Sequence, residues 1–391
     1  MDREAAVAAR SRKLGRVAIA IAVGVGAFGI TPLYSETLPD DRTDVMYHEY
    51  DGGGLNVHGP SILVRKGFAD KVSVWGNYYV DEISSASIDV VTTASPYHEK
   101  RTQWSGGIDY LRGKSTMSMS YTYSEESDYT ANTAQFGITH NFFGDLTTVG
   151  ITYSRGWNDV YRTGDPAFHK TMDTQNYRVD LSQILTKNWV LDINYEGVTD
   201  QGFLNNPYRS VRYLDPSSPI GYSYQAEVYP HTHTSNATAL RTMYYLPYRA
   251  SAMAEVRYYS DTWGIAAWNA EVGYTQPLPR GLTLDVHYRY YEQNSADFYS
   301  DLFPRENYQN FMARDRWLAT FNQHSVGLGL SYDFGTSLLP FFKRGQISLQ
   351  TDWLFMSYDD FRDLRKTVPP GTEPEYSMDA TVTRAFISLW Y

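Results

Sequence analysis

Cysteine is absent from all 391 residues, which excludes a disulfide framework, thiolate metal sites and thiol catalysis. The absence suits a chain that crosses an oxidising compartment unfolded. Long apolar runs are equally scarce. The longest, Val17 to Ile30, spans fourteen residues, whereas a bilayer-spanning helix needs ~20. Beyond it no helical span is available, so a membrane protein built from this chain can only be a closed barrel. Positive charge is in deficit: 34 Lys and Arg against 44 Asp and Glu give a net charge of -10. An acidic chain of this kind has no electrostatic case for binding nucleic acid.

The N-terminus reads as an export signal. Arg10, Arg12, Lys13 and Arg16 form a basic region before the Val17–Ile30 run, the pattern of a removable signal peptide rather than an anchor. We assign it to residues 1–35. The expected cleavage is near Ser35-Glu36, with Gly29 the alternative, because Leu33-Tyr34-Ser35 departs from the small-x-small pattern. Removal takes away five basic and two acidic residues and leaves the mature chain, 36–391, at -13.

Aromatic residues are abundant: 15%, with 34 Tyr, 17 Phe and 9 Trp. Yet the mean hydropathy is only -0.45. A membrane barrel reconciles the two, because only alternate residues face lipid while two girdles of amphipathic rings mark the bilayer interfaces. The sequence carries the alternation. Leu282, Leu284, Val286, Tyr288 and Tyr290 alternate with Thr283, Asp285, His287, Arg289 and Tyr291. Trp189, Leu191, Ile193 and Tyr195 alternate with Asp192, Asn194 and Glu196, and the pattern recurs at 325–334 and 347–355. Weaker versions lie near 71–82, 101–111, 115–124, 132–143, 145–156, 174–185, 250–260 and 265–275, with the faintest at 43–50, 55–66 and 235–246.

Connections alternate between short and long, as in exported barrels with short periplasmic turns and long outer loops. Short ones fall at Arg112-Gly113-Lys114, Gly144-Asp145, Thr186-Lys187-Asn188, Leu246-Pro247-Tyr248 and Pro279-Arg280-Gly281. Long ones run through about 83–98, 158–171, 200–232, 296–316 and 362–378. The 335–345 turn is unusually long and apolar for its side, suited to folding inward, touching a partner or resting on the membrane surface. The chain ends on Thr381–Tyr391, an alternating strand that stops on an aromatic. Ile387, Leu389 and Tyr391 are the expected signal for the barrel assembly machinery. The expected fold is therefore all-β: a transmembrane antiparallel β-barrel of about sixteen strands, with fourteen the alternative, closed by the C-terminal strand.

The same alternation directs Asp109, Asp192, Glu196, Asp285, His287, Arg289, Asp352 and Arg384 into the lumen, with Asp180, Asn194, Glu255 and Arg257. A barrel of about 16 strands leaves an aqueous channel, and a lining of both signs would orient solutes by a transverse field. Alternatively, these charges pair across strands and stiffen the wall. His231 and His233 share a strand face but lack a third ligand fixed by spacing. His48-Glu49 precedes a glycine run that reads better as a strand reversal. His324 and Ser325 are adjacent, hence on opposite faces, and cannot act as base and nucleophile; Ser235-Asn236 belongs to no motif. Neither metal, cofactor nor enzymatic activity is expected.

Several stretches resemble a family of Gram-negative outer-membrane proteins known only as a domain of unknown function. They are Met46-Tyr47-His48 with Tyr50-Asp51-Gly52-Gly53-Gly54, Gly59-Pro60-Ser61 with Leu63-Val64-Arg65-Lys66, and Ser84 through Val90. Ala94-Ser95-Pro96-Tyr97, Phe142-Phe143-Gly144-Asp145-Leu146 and Tyr153-Ser154-Arg155-Gly156-Trp157 continue the match. The resemblance implies a barrel filling nearly the whole mature chain, outer-membrane lipid as its surroundings, and a periplasmic or lipoprotein partner with a redox connection. It brings no catalytic residues. The expected function is a channel or conduit for small polar solutes or for such a partner. The alternatives are a non-conducting interaction barrel with a filled lumen, an outer-membrane hydrolase and a soluble secreted β-protein.

Overall fold

The computed structural model describes residues 37–85, 97–335 and 341–391. The expected signal segment, most of the 83–98 connection and Leu338, Leu339 and Pro340 of the apolar turn lie outside the described residues. The chain is built of strands. The first half holds β1 (Arg42–Gly52), β2 (Leu55–Phe68), β3 (Val72–Ser85), β4 (Tyr97–Arg112), β5 (Ser115–Glu125), β6 (Tyr129–Phe142), β7 (Thr147–Tyr161), β8 (His169–Thr186) and β9 (Trp189–Gly202). The second holds β10 (Ser210–Leu214), β11 (Tyr222–Ala226), β12 (Thr232–Tyr245), β13 (Ser251–Asp261), β14 (Ala266–Pro277), β15 (Leu282–Gln293), β16 (Phe321–Phe334), β17 (Arg344–Arg362) and β18 (Glu375–Trp390).

All but β10 and β11 join one closed antiparallel barrel of sixteen strands, sealed where β1 pairs with β18. The register carries apolar residues around the wall as ladders. Leu284 faces Leu330, Leu330 faces Leu349, Leu349 faces Ala385, and across the seam Ala385 faces Tyr47. Their faces point outward: Met119, Phe136, Val256, Val272 and Leu349 are each at least half exposed. Such a continuous apolar belt is stable against lipid and not against water. A one-residue slip would exchange it for the lumen face, so register is strongly specified.

Termini and tight turns share one end. Gly113 at φ +60° and the Phe143-Gly144-Asp145 run, all at positive φ, reverse the chain there. Tyr391 closes this end: its hydroxyl donates to the Arg65 carbonyl at 2.8 Å, its ring stacks on Phe341, and Lys66 lies 5.1 Å above it. The opposite end carries the long connections, 203–231, 294–320 and 363–374. By the asymmetry of exported barrels it is the outer end. Strands there run past the boundaries that alternation suggests, so the 158–171 connection shortens to 162–168.

Candidate functional site

Long loops cross the outer mouth and bond to one another. Within 203–231, β10 and β11 pair as a hairpin separate from the barrel. The 294–320 loop adds to both edges. Leu214 N donates to Phe303 O at 2.9 Å and Phe303 N to Arg212 O at 3.0 Å, while Val228 and Met312 exchange backbone bonds of 3.0 and 2.8 Å. Val211, Phe303 and Met312 form a small apolar core between the two loops. Backbone satisfaction and burial together make this an ordered lid, since unpaired buried amides would be costly.

Two polar anchors hold the lid across the mouth. On one rim the Tyr208 hydroxyl donates to Asp128 at 3.0 Å and accepts from Thr163 N at 2.6 Å. On the other, Arg212 is fully buried and forked between loops. Its Nη1 donates to Glu373 at 2.6 Å, its Nε to the Asp301 carbonyl at 2.9 Å, and its Nη2 to the Asp301 carboxylate. Arg314 also bonds Asp301, at 3.0 and 2.8 Å, and lies 4.5 Å over the Phe361 ring. Three hairpins thus meet at one charge cluster. Burial opposes ionisation of Glu373, but Arg212 outweighs it and holds the carboxyl below its ordinary range. At two other acids the balance is reversed, burial outweighing the nearby cation, Arg101 for Glu126 and Arg209 for Glu227. Burial pushes Glu126, in the β5–β6 turn, up to about 8, and Glu227, between β11 and β12, up to about 7.

Below the lid, part of the inner wall is apolar. Leu354, Met356 and Tyr358 of β17 and Tyr376, Met378, Ala380 and Val382 of β18 point inward and pack with Phe361 and Ala319. Further from the mouth the inward face is polar, and this is where the residues expected in the lumen fall. Asp352 is the best satisfied, taking His287 at 2.8 Å and Arg384 at 2.7 Å. Space for this triad comes from Gly327, where a Cβ would stand 2.0 Å from the His287 ring and 2.5 Å from Asp352. Asp109 accepts from Arg65 at 2.5 Å, Asp285 from Thr275 at 2.5 Å, and Glu196 from Asn176 at 2.8 Å and Arg257 at 3.3 Å. Asp192 is buried in the wall, and Arg289 meets Asn269 once that amide is turned to present its oxygen. The expected lumen residues are therefore strung along the wall, with Asp352, His287 and Arg384 brought together as a triad and Glu196 and Arg257 as a pair.

The other candidates separate. His48 points inward, 2.7 Å from Asp81 and 3.0 Å from Tyr79, while Glu49 is exposed. His233 is held between Asp200 at 3.2 Å and Asp261 at 3.0 Å, while His231 is exposed. His324 faces outward against the Tyr288 hydroxyl at 2.7 Å, and Ser325 is buried inward. Ser235 is buried, whereas Asn236 accepts from Tyr195 at 2.6 Å on the outer face. Among the described residues no group of three His, Asp or Glu is placed to hold a metal. Sequence reasoning missed Arg212, Asp301 and Glu373. The available signal was that Leu354, Met356 and Tyr358 break the polar inward face, so something apolar had to cover them.

The apolar belt, paired seam and polar interior define a transmembrane β-barrel of the outer-membrane type. Within that class the chain belongs to the family described as protein of unknown function (DUF3570), whose model matches residues 72–340. No curated protein matches the sequence. Solved structures similar to it include a bacterial polysaccharide outer membrane secretin, 7% identical over 90% of this chain and 100% of that one, TM-score 0.47. CdiB from Acinetobacter baumannii is 10% identical over 89% and 60%, TM-score 0.48. The siderophore receptor PirA from Pseudomonas aeruginosa is 11% identical over 90% and 63%, TM-score 0.43. This chain spans less than two thirds of the latter two.

Proposed function

We propose that this chain is an outer-membrane conduit for small polar solutes that rests closed at its outer mouth. The 203–231 and 294–320 loops are its gate, and residues 1–35 are removed on export. One contrast carries the reading: Arg212, fully buried, ties three loops over a barrel whose inner wall further from the mouth is polar and partly solvent-accessible. Passage would be diffusive, with Glu196, Asp285, His287 and Arg289 among the lining charges that orient the solute. Ile387, Leu389 and Tyr391 serve as the insertion signal. A periplasmic or lipoprotein partner would dock at the opposite end, where Phe341 is exposed beside Phe342 and Tyr391.

Liposome swelling in arabinose tests the gate. Vesicles carrying the mature chain should swell slowly, and vesicles carrying a chain with 204–230 replaced by a short Gly-Ser linker should swell fast. Equal impermeability of two folded proteins would sink the conduit. It would favour a second reading, a non-conducting interaction barrel, for which cross-strand pairs such as Arg65–Asp109 and Arg241–Glu255 speak by bracing the wall.

A further inference from the structure

Beneath the lid, against β12–β15, lies a cavity of about 390 Å³, within the ~300–1,000 Å³ range of small-molecule sites. Arg257, Tyr259, Asn269, Arg289 and Tyr291 rise from the barrel wall, and Trp317 and Leu318 of the 294–320 loop complete the lining. In the ladder Asn269 stands opposite Arg257 on one side and Tyr291 on the other. The polar groups therefore share one floor under aromatic surfaces.

The charges here are unequal in availability. Asp261 is saturated: its Oδ1 accepts from Trp263 N and Ile265 N at 2.9 Å each, and its Oδ2 meets His233 at 3.0 Å and the Tyr259 hydroxyl at 2.9 Å. That carboxylate shapes the β13–β14 turn and has no capacity left for a ligand. Arg257 is already engaged with Glu196 at 3.3 Å. Arg289 differs. Among the described residues its one hydrogen-bond partner is the neutral Asn269 oxygen, at 3.0 Å from Nη2 and 3.2 Å from Nε once that amide is turned. Glu271, its register neighbour, makes no ion pair with it among the described residues. A half-buried guanidinium with spare donors at a cavity floor is the partner a planar carboxylate takes best.

We infer that this cavity binds a small organic monoanion, a carboxylate on a flat or ring-shaped body, with Arg289 as the charge partner and the Tyr259, Tyr291 and Trp317 rings enclosing the body. Glu196, bonded to Arg257 at 3.3 Å, and Glu271, opposite Arg289 in the ladder, stand behind the two floor arginines and disfavour a second negative charge, which selects a carboxylate over a phosphate monoester. The roof is tied to the wall beside the site: Tyr291 donates to Gln293 at 2.6 Å, and Gln293 donates to the Trp317 and Ala319 carbonyls at 3.0 and 2.9 Å. The site thus sits where a solute arriving from the polar lumen meets the underside of the lid.

The inference names the solute class for the proposed conduit, but it is tested without any current. The full chain, folded in detergent micelles, is titrated with benzoate, with neutral benzamide and with phenyl phosphate, reading tryptophan fluorescence. Benzoate should give a saturable change that Trp317→Phe diminishes, and benzamide and phenyl phosphate should each bind at least about tenfold more weakly. Arg289→Gln should erase the preference for benzoate over benzamide, and Arg289→Lys should retain part of it. Benzamide binding as tightly as benzoate, phenyl phosphate binding more tightly, or no saturation would each overturn the assignment. These comparisons use the unaltered chain, so they decide even if Arg289→Gln fails to fold. A barrel that binds benzoate and never conducts would keep the site and lose the conduit.

Discussion

Replacing Arg212 by methionine removes the cation that joins three outer loops while keeping most of the side-chain volume. Glu373 then keeps backbone donors such as Gly371 N at 2.8 Å and loses its guanidinium; Asp301 keeps Arg314. Removing one partner of a buried ion pair costs roughly 3–5 kcal/mol. The lower figure applies because Asp301 remains compensated. The loss falls on the lid, since among the described residues the Arg212 side chain bonds only residues of the outer connections. About 3 kcal/mol raises the open population of the lid about a hundredfold. Limited proteolysis of the micellar protein within 203–231 reads this directly, with heat-modifiable migration as the control for an intact barrel. Cleavage accelerated less than about threefold, with the barrel intact, would refute the latch.

Asp352→Ala should destabilise the barrel by roughly 3 kcal/mol, because Arg384 and His287 lose their shared carboxylate. The Asp352→Leu, Arg384→Met double variant should recover most of that in urea unfolding, and simple additivity would contradict the pairing. Gly59→Ala should cost about 1–3 kcal/mol and lower the folded yield, since its Cβ would stand 1.9 Å from the Val80 carbonyl oxygen. The lid should also respond to pH. Glu126, raised to about 8 from 4.5, keeps its proton in the closed turn and loses it readily in the open one, so closure weakens as pH rises through that window. Proteolysis should therefore quicken from pH 6 to 9, and Glu126→Gln should flatten the rise; an unchanged profile in the variant would exclude Glu126. Glu373 runs the other way: its lowered pKa means its contribution is present above 4.5 and lost as the pH falls through the folded value, so acid also loosens the lid.

The wall was legible because period-two alternation is a local signal: Leu282 to Tyr291 states both faces in ten residues, and the structure pairs them as β15. Even the faint stretches at 43–50, 55–66 and 235–246 became strands, since closure of the sheet supplies partners that propensity alone does not. The lid was not legible. Arg212 and Glu373 lie 161 residues apart and meet only because their hairpins neighbour one another at one rim. The short β10–β11 hairpin carries no long alternating run, and its register is set by the 294–320 loop beside it. Charge pairing in the lumen lay between these cases. Alternation gives the face of Asp352, but only the β15–β16–β17 register, with Gly327 making room, shows that His287 reaches it.

Single-channel conductance in a planar bilayer tests the central claim most directly, comparing the mature chain, residues 36–391, with its Arg212→Met form. The closed-mouth account predicts a folded barrel that is silent or only briefly conducting, and frequent ohmic steps once the latch is removed. Steady large steps from the unaltered chain, indistinguishable from the variant's, would contradict it.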